Sequence, residues 1–340
     1  MKIALVSKLW EPTSPNSVGG TGFIVGSLAD GLVERGHDVT VYASGDSEIK
    51  GKLVSFSDKH VWDRFPEALY YLTIARAFKD AGRYDIIDCH VEEKGLFFSP
   101  LVDTPVVNTF EFGLFNDEQK KIFEEYRDEK CISISYSCRK IYPDLNWIAN
   151  IYNGIRIKDF PFSDRHGDYL LLLGRVSSQK GVHHAVQVAL KSGIKLIIAG
   201  KVVDEDKEYL DKLVWPHVDG EQIKYIGLVS YREKMPLLEN ALALISPLCY
   251  LEAFGLNLAE SMACGTPAVA FDRGAAAEVI KDGETGFIVE DGDVDGMVEA
   301  LKKVPQLDRA KCRKRVEENF TVEKMVDGYE KVYREVTGKK

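Results

Sequence analysis

With 340 residues, 45% of them hydrophobic and 29% charged, the chain has the make-up of an ordinary soluble protein too long for one hydrophobic core, so two domains are expected. Its formal net charge of −9 argues against non-specific nucleic-acid binding, which needs a basic face to release phosphate counterions. Six cysteines without a C-x-x-C pair, a start ("MKIALVSKLW") whose apolar run is too short for a signal peptide, and no run of membrane-spanning length point to a reduced, cytoplasmic protein without stable membrane insertion.

The first predicted strand, "KIALVS", leads to "SVGGTGFIVGSLADGLVERG", where Gly20, Gly22 and Gly26 open a helix with apolar Phe23, Ile24, Leu28, Leu32 and Val33 at helical spacing. Amides at such a helix start attract anions or polar groups, and a turn that needs glycine for steric reasons explains the same residues. The spacing is not G-x-G-x-x-G, and no acidic residue closes the next strand, "DVTVYAS", so a dinucleotide oxidoreductase is unsupported. "GDSEIKGKL" reads as a surface loop, because Gly45 and Gly51 are too far apart for a phosphate loop and Leu53 replaces the magnesium-holding Ser or Thr.

Strands "YDIIDCH", "TPVVNTF", "KCISIS" and "NWIANIY" complete the first series. Glu111 ends a buried parallel strand at its carboxyl edge, where ligands gather; it is expected to face a ligand there, or else to pair with a basic residue across a cleft. The polar, proline-bearing "RIKDFPFSDRHGD" then breaks the pattern as a linker does.

A second series follows: "YLLLLGR", "KLIIAG", "IKYIGLV", "LALISP", "TPAVAF" and "GFIVED". Strands apolar on both faces, separated by helices, predict an α/β protein of two doubly wound parallel-sheet, Rossmann-like domains, residues 1–155 and 156–318. The spacing of Phe320, Met325, Val326, Tyr329, Val332 and Tyr333 predicts a closing helix in 319–340 that returns to the first domain. The basic cluster from Arg309 to Arg315 reads as a solvated helix face, with an anionic lipid surface as the alternative.

Two stretches of the second series carry chemistry. In "LLLGRVSSQKGVHHAV", Arg175 and Lys180 flank a loop at a strand's carboxyl end, where an Arg and a Lys suit a diphosphate. In "YLEAFGLNLAESMACGTP", Phe254, Gly255, Leu256 and Asn257 begin a helix whose free amides point to the same edge, and Glu252 and Glu260 bracket that start with no cation nearby in the sequence. Buried carboxylates need partners, so a hydroxyl-rich ligand is expected to meet them. No metal is assigned: the D-x-D triplets at Asp204 and Asp293 sit in polar stretches, and His183 and His184, as helix neighbours, are expected to point apart.

Glu252, seven residues, then Glu260, with Phe254-Gly255 between and "MACGTPAVA" after, resembles the signature of family 4 of the retaining glycosyltransferases, of GT-B fold. "GGTG", "DIIDCH", "TPVVNT", "IYNGI", "GRVSSQKG", "GETGFIV" and the closing "FTVEKMVDGYEKVYREV" extend the resemblance over essentially the whole chain. "YASGDS", "LNWIANIYNGI" and "GDYLLLLGR" are most similar to the branch of UDP-glucose:tetrahydrobiopterin glucosyltransferases.

The resemblance implies two domains facing across a cleft and transfer of a hexose, with retention, from a nucleotide-diphosphate sugar, UDP favoured, to an unidentified acceptor. It implies that Glu260 binds the ribose, Glu252 the sugar hydroxyls, Arg175 and Lys180 the diphosphate, and that the amides of Phe254 to Asn257 lie near sugar and phosphate. Gly20 would let the first-domain loop approach the donor, and His90 would face the acceptor. No cofactor and no metal are implied. One position departs from the family pattern: where a Thr-x-His histidine meets the transferred sugar, this chain has Glu111, which when ionised accepts hydrogen bonds and cannot donate them. A non-catalytic nucleotide-sugar-binding protein of the same fold is therefore the alternative.

Overall fold

The computed structural model describes residues 1–17, 20–61, 67–111 and 116–339. The chain forms two compact units, Met1–Gly154 with Val322–Lys340, and Ile155–Thr321.

In the first unit, β1 (Lys2–Val6), β2 (Asp38–Tyr42), β3 (Lys52–Val54), β4 (Ile86–Cys89), β5 (Val106–Phe110), β6 (Cys131–Ser133) and β7 (Trp147–Asn150) make one parallel sheet in the order β3-β2-β1-β4-β5-β6-β7. β4 and β5 are buried along their whole length, which a sheet tolerates when helices cover both faces. The covering helices include α1 (Gly20–Glu34), α2 (Glu67–Lys79), α3 (Asp117–Glu125) and α4 (Tyr136–Ile141). Tyr70, Ile74 and Phe78 of α2 pack with Ala4, Val6, Tyr42 and Ile87 in the core. Part of the segment read as a surface loop is in fact β3; a three-residue, half-exposed edge strand leaves no apolar alternation to read.

In the second unit, β8 (Tyr169–Leu173), β9 (Lys195–Ala199), β10 (Ile223–Tyr225), β11 (Ala243–Ser246), β12 (Ala268–Phe271) and β13 (Gly286–Val289) form a second parallel sheet, ordered β10-β9-β8-β11-β12-β13. Its helices are α5 (Val182–Ser192), α6 (Lys207–Leu213), α7 (Lys234–Glu239), α8 (Leu256–Ala263), α9 (Ala276–Val279), α10 (Val294–Lys303) and α11 (Arg309–Asn319). Each sheet has a point where strand order reverses, at β1/β4 and at β8/β11; in open parallel sheets ligands bind outside the carboxyl ends of the strands at such a point.

The basic cluster of α11 is neither a solvated face nor a lipid-facing one at its arginines. Arg309 is 2% exposed and donates to the carbonyls of Ser163 (2.8 Å), Ala241 (3.0 Å) and Glu239 (2.7 Å) and to Thr266 Oγ1 (2.5 Å). Arg313 donates to the carbonyls of Ala263 and Phe160, and Arg315 to that of Glu278. The ends of α7, α8 and α9 thus have carbonyls capped by guanidinium groups, whose fixed fork of donors suits acceptors that a helix terminus leaves open.

The last helix, α12 (Val322–Thr337), lies in the first unit against α1. Gly31 makes that approach possible, since a Cβ there would come within 2.6 Å of Val326 Cγ2. Arg35 clamps α12 from outside, 2.6 Å from Asp327 and 2.9 Å from Glu330. Among the described residues no helix is long and apolar enough to cross a membrane.

Candidate functional site

At the β8/β11 reversal, the loop after β8 brings Lys180 to the loop after β11. Its Nζ lies 2.5 Å from Glu252 Oε2 and 2.6 Å from the Tyr250 hydroxyl, which itself donates to Glu252 Oε2. Burial alone would raise the Glu252 carboxyl; Lys180, helped by Tyr250 and by the more distant Arg175, outweighs it and holds the group below its ordinary range. Burial likewise opposes the Lys180 charge, and Glu252 and Tyr250 raise it again.

Glu260 has the same kind of partner. It is 6% exposed, and its Oε1 accepts from Lys234 Nζ of α7 at 2.6 Å. Each lysine also sits over a tyrosine ring, Lys180 at 4.9 Å from the Tyr250 centroid and Lys234 at 4.6 Å from that of Tyr231. The expectation of two carboxylates without a cation is therefore corrected. Sequence neighbourhood hid the partners, because Lys180 and Lys234 lie 72 and 26 residues from the carboxylates they meet.

Each lysine occupies one oxygen only. Among the described residues, Glu252 Oε1 and Glu260 Oε2 make no hydrogen bond. Arg175, in contrast to Lys180, is exposed, with Nη2 3.5 Å from Gln179 Oε1. α8 starts at Leu256 behind Gly255, whose φ of +86° is left-handed, and no side chain caps it; the Leu258 amide donates to the Gly255 carbonyl at 2.9 Å, which leaves the Leu256 and Asn257 amides to an acceptor. Asn257 Nδ2 ties this start to the end of β8 by donating to the Leu173 carbonyl at 3.0 Å. The Phe254 side chain is core, 2% exposed with its ring 5.5 Å from that of Phe320.

In the first unit, His90 and Glu111 meet at the carboxyl ends of β4 and β5. His90 is fully buried, with Nδ1 3.1 Å from Glu111 Oε1 and Nε2 3.4 Å from Asp88 Oδ2. Burial would lower its pKa, but Asp88 and then Glu111 push it up to about 10. Glu111 Oε2 accepts from Asn153 Nδ2 at 3.1 Å, and Asp88 accepts from Thr109 Oγ1 at 2.8 Å and from Tyr333 of α12 at 2.5 Å. Glu111 does pair with a basic residue, then, but one on the neighbouring strand of its own sheet.

Gly20 is the exposed first residue of α1. Two turns of its context are steric: Gly22 and Gly26 lie so close to residues 12–15 that a Cβ would meet backbone atoms there at 2.5 Å. The Gly22 amide is taken by Glu11 Oε1 at 2.7 Å. Beside it, Lys8 pairs with Glu92 at 2.5 Å, and Glu92 has a φ of +50°.

Among the described residues no three His, Cys, Asp or Glu side chains are grouped to hold a metal. Of the D-x-D triplets, Asp206 accepts from Ser178, and Asp293 caps α10 by accepting from the Gly296 amide. His183 and His184 do not point apart as expected: their ring centroids are 3.8 Å apart, because Tyr209 holds His183 Nδ1 at 2.7 Å and side-chain rotation overrides the helical angle. Tyr250, Lys234, Asn153, Asp88 and Tyr333 are absent from the sequence-derived site.

Residues 156–321, almost all of the second unit, match the family model for glycosyl transferases group 1. The chain is 26% identical to an uncharacterized glycosyltransferase of Methanocaldococcus jannaschii over 89% of each sequence. It is 27% identical to glycogen synthase of Mycobacterium tuberculosis, over 89% of this chain and 86% of that one. Among solved structures, the Anabaena protein HepE in complex with UDP-glucose superposes with a TM-score of 0.78 at 16% identity, covering 98% of this chain and 100% of that one. Both parallel-sheet units have the Rossmann-like architecture of GT-B glycosyltransferases, and the family match and the relatives together support a glycosyltransferase of group 1.

Proposed function

We propose that this chain is a retaining glycosyltransferase that moves a hexose from a nucleotide-diphosphate sugar, a UDP-sugar first, to an acceptor. The observation that carries the proposal is the pair Glu252 and Glu260: each ionised carboxylate is fixed by a lysine through one oxygen and keeps the other for a hydroxyl. Two such acceptors on either side of a helix start suit an extended polyhydroxyl ligand, with Glu260 on the ribose and Glu252 on the hexose. Arg175, Lys180 and the amides of Phe254 to Asn257 then face the diphosphate and stabilise the charge that gathers on it as it leaves. In the first unit Glu111 is assigned to the transferred sugar, with His90 behind it as the group that orients it; His90, wholly buried with both nitrogens turned to carboxylates, is given no direct contact with the acceptor.

The uridine preference draws support from HepE, which is solved in complex with UDP-glucose. Calorimetric titration with UDP and GDP, followed by an assay of donor hydrolysis, tests the reading. Tight UDP binding with slow hydrolysis of UDP-glucose is expected, and no binding of either nucleotide would overturn it. The reading gives no part to a metal, so turnover is expected to survive excess EDTA; loss restored by manganese or magnesium would return the triplets at Asp204 and Asp293 to the site.

A second reading, a nucleotide-sugar-binding protein without transferase activity, rests on Glu111 standing where the resembled family has a histidine and being held by His90 and Asn153. Donor binding without hydrolysis or transfer to any acceptor would favour it.

A further inference from the structure

The Tyr250 phenol closes the contacts around Glu252. It donates to Glu252 Oε2 and accepts from Lys180 Nζ at 2.6 Å, while Lys180 reaches the same carboxylate oxygen at 2.5 Å and lies over the Tyr250 ring. Both bonds to the carboxylate meet at Oε2, and Oε1 makes none among the described residues.

Such an arrangement answers a problem that a lysine alone leaves. Glutamate and lysine both have long flexible stems, so one ion pair fixes the charge without fixing where the second carboxylate oxygen points. Lys180 also has two claimants, Glu252 and an incoming diphosphate, and an ammonium drawn to phosphate would release the carboxylate. A tyrosine ring has few torsions, and this one is 8% exposed, so its hydroxyl is held where the packing puts it. Burial and the neighbouring Glu252 push its ionisation up to about 12, so it remains a donor throughout the neutral range.

We propose that Tyr250 is a positioning residue, which holds Glu252 by Oε2 so that Oε1 faces a hydroxyl of the transferred sugar while Lys180 turns to the diphosphate. The identity of the ligand rests on the glycosyltransferase reading above; the hold on Glu252 does not.

The test is Tyr250→Phe in the full chain, which keeps the ring over Lys180 and removes the hydroxyl alone. The charged and titratable groups facing Glu252 are Lys180, Tyr250 and Arg175, so a carboxyl 13C titration, assigned with Glu252→Gln, reads the lost donor directly. Glu252 is expected to titrate at higher pH in Tyr250→Phe, and an unchanged titration would overturn the proposal. With UDP-glucose, kcat is expected to fall about 10-fold, as when a group that orients a functional side chain is removed, at unchanged UDP affinity. Wild-type kcat, or tighter binding of UDP-glucose because the phenol had competed with the sugar, would also overturn it. If the wild-type chain binds neither UDP nor UDP-glucose, the glycosyltransferase reading falls, and the Glu252 titration still decides whether Tyr250 positions that carboxylate.

Discussion

Glu252 and Glu260 sit eight positions apart on either side of one helix start, yet the division of roles proposed for them predicts different losses. Glu260→Ala is expected to weaken UDP binding by calorimetry while leaving the turnover of bound donor largely intact. Glu252→Ala is expected to lower kcat by roughly 10²-fold if its contact with the hexose strengthens in the transition state. Equal loss of nucleotide affinity in both would contradict the division. Both changes also take the carboxylate partner from a partly buried lysine, so thermal stability is to be measured alongside, and Glu→Gln variants separate charge from shape. Glu111 predicts a third pattern: Glu111→Ala should lower transfer with little change in UDP affinity, and Glu111→His should preserve or raise it. Wild-type transfer by Glu111→Ala to a verified acceptor would leave Glu111 with a purely structural bond to His90. At this scale the sequence shows which residues have chemistry to offer, since a carboxylate or arginine at a strand end stands out against apolar neighbours. It does not show who their partners are. Lys234 and Asn153 look ordinary in their own segments and become neighbours of Glu260 and Glu111 only through the fold, whereas Tyr250 sits two residues from Glu252 and only the direction of its side chain is silent in the sequence.

The elements themselves were easier to read than their edges. β1, β4, β5, β11 and β12 are short β-branched or aliphatic runs buried along most or all of their length, and such runs admit few other readings. β3 escapes because an edge strand of three half-exposed residues has no pattern. α11 misleads for a different reason: a helix rich in Arg and Lys has the periodicity of a solvated one, and nothing in a single sequence says that open carbonyls of neighbouring helix ends await the guanidinium groups. Arg309 is the clearest case, with four acceptors satisfied by one buried side chain. Arg309→Ala should therefore destabilise the second unit by more than a surface substitution does, by about 3 kcal/mol or more, since each buried acceptor left open costs about 1–3 kcal/mol. Lys314→Ala on the exposed face of the same helix should stay within about 0.5 kcal/mol. Urea midpoints measured on both variants check the contrast, and a mild Arg309→Ala would mean that water replaces the guanidinium at little cost.

Over the whole molecule, two series of strands with a break between them foretell two doubly wound units, whereas the polar chain that crosses the first of them is silent in the sequence. That chain runs from Tyr333 of α12 to Asp88, then to His90 and Glu111 at the strand ends, and on to Asn153. Its consequence is a pH dependence of folding with a definite sign. His90 has an ordinary value of 6.5 and a folded value of about 10, raised against burial by Asp88 and Glu111. A group whose folded pKa is raised contributes stability that is fully present below its unfolded value and is lost as pH climbs through the folded one. Stability of the first unit should therefore decline between about pH 6.5 and 10, at up to about 1.4 kcal/mol per pH unit where the native ring keeps a proton that the unfolded ring has lost. His90→Gln should flatten that limb. Tyr333→Phe removes a donor to Asp88 and leaves both carboxylates facing the ring, so the limb should persist at lower overall stability. His183 is lowered to about 4 by burial and by His184, so it titrates on the acid side and does not mask the effect. Denaturation midpoints of wild type and His90→Gln across that range decide the matter: parallel curves would mean that His90 is neutral when folded and that the contacts to Asp88 and Glu111 hold no buried charge.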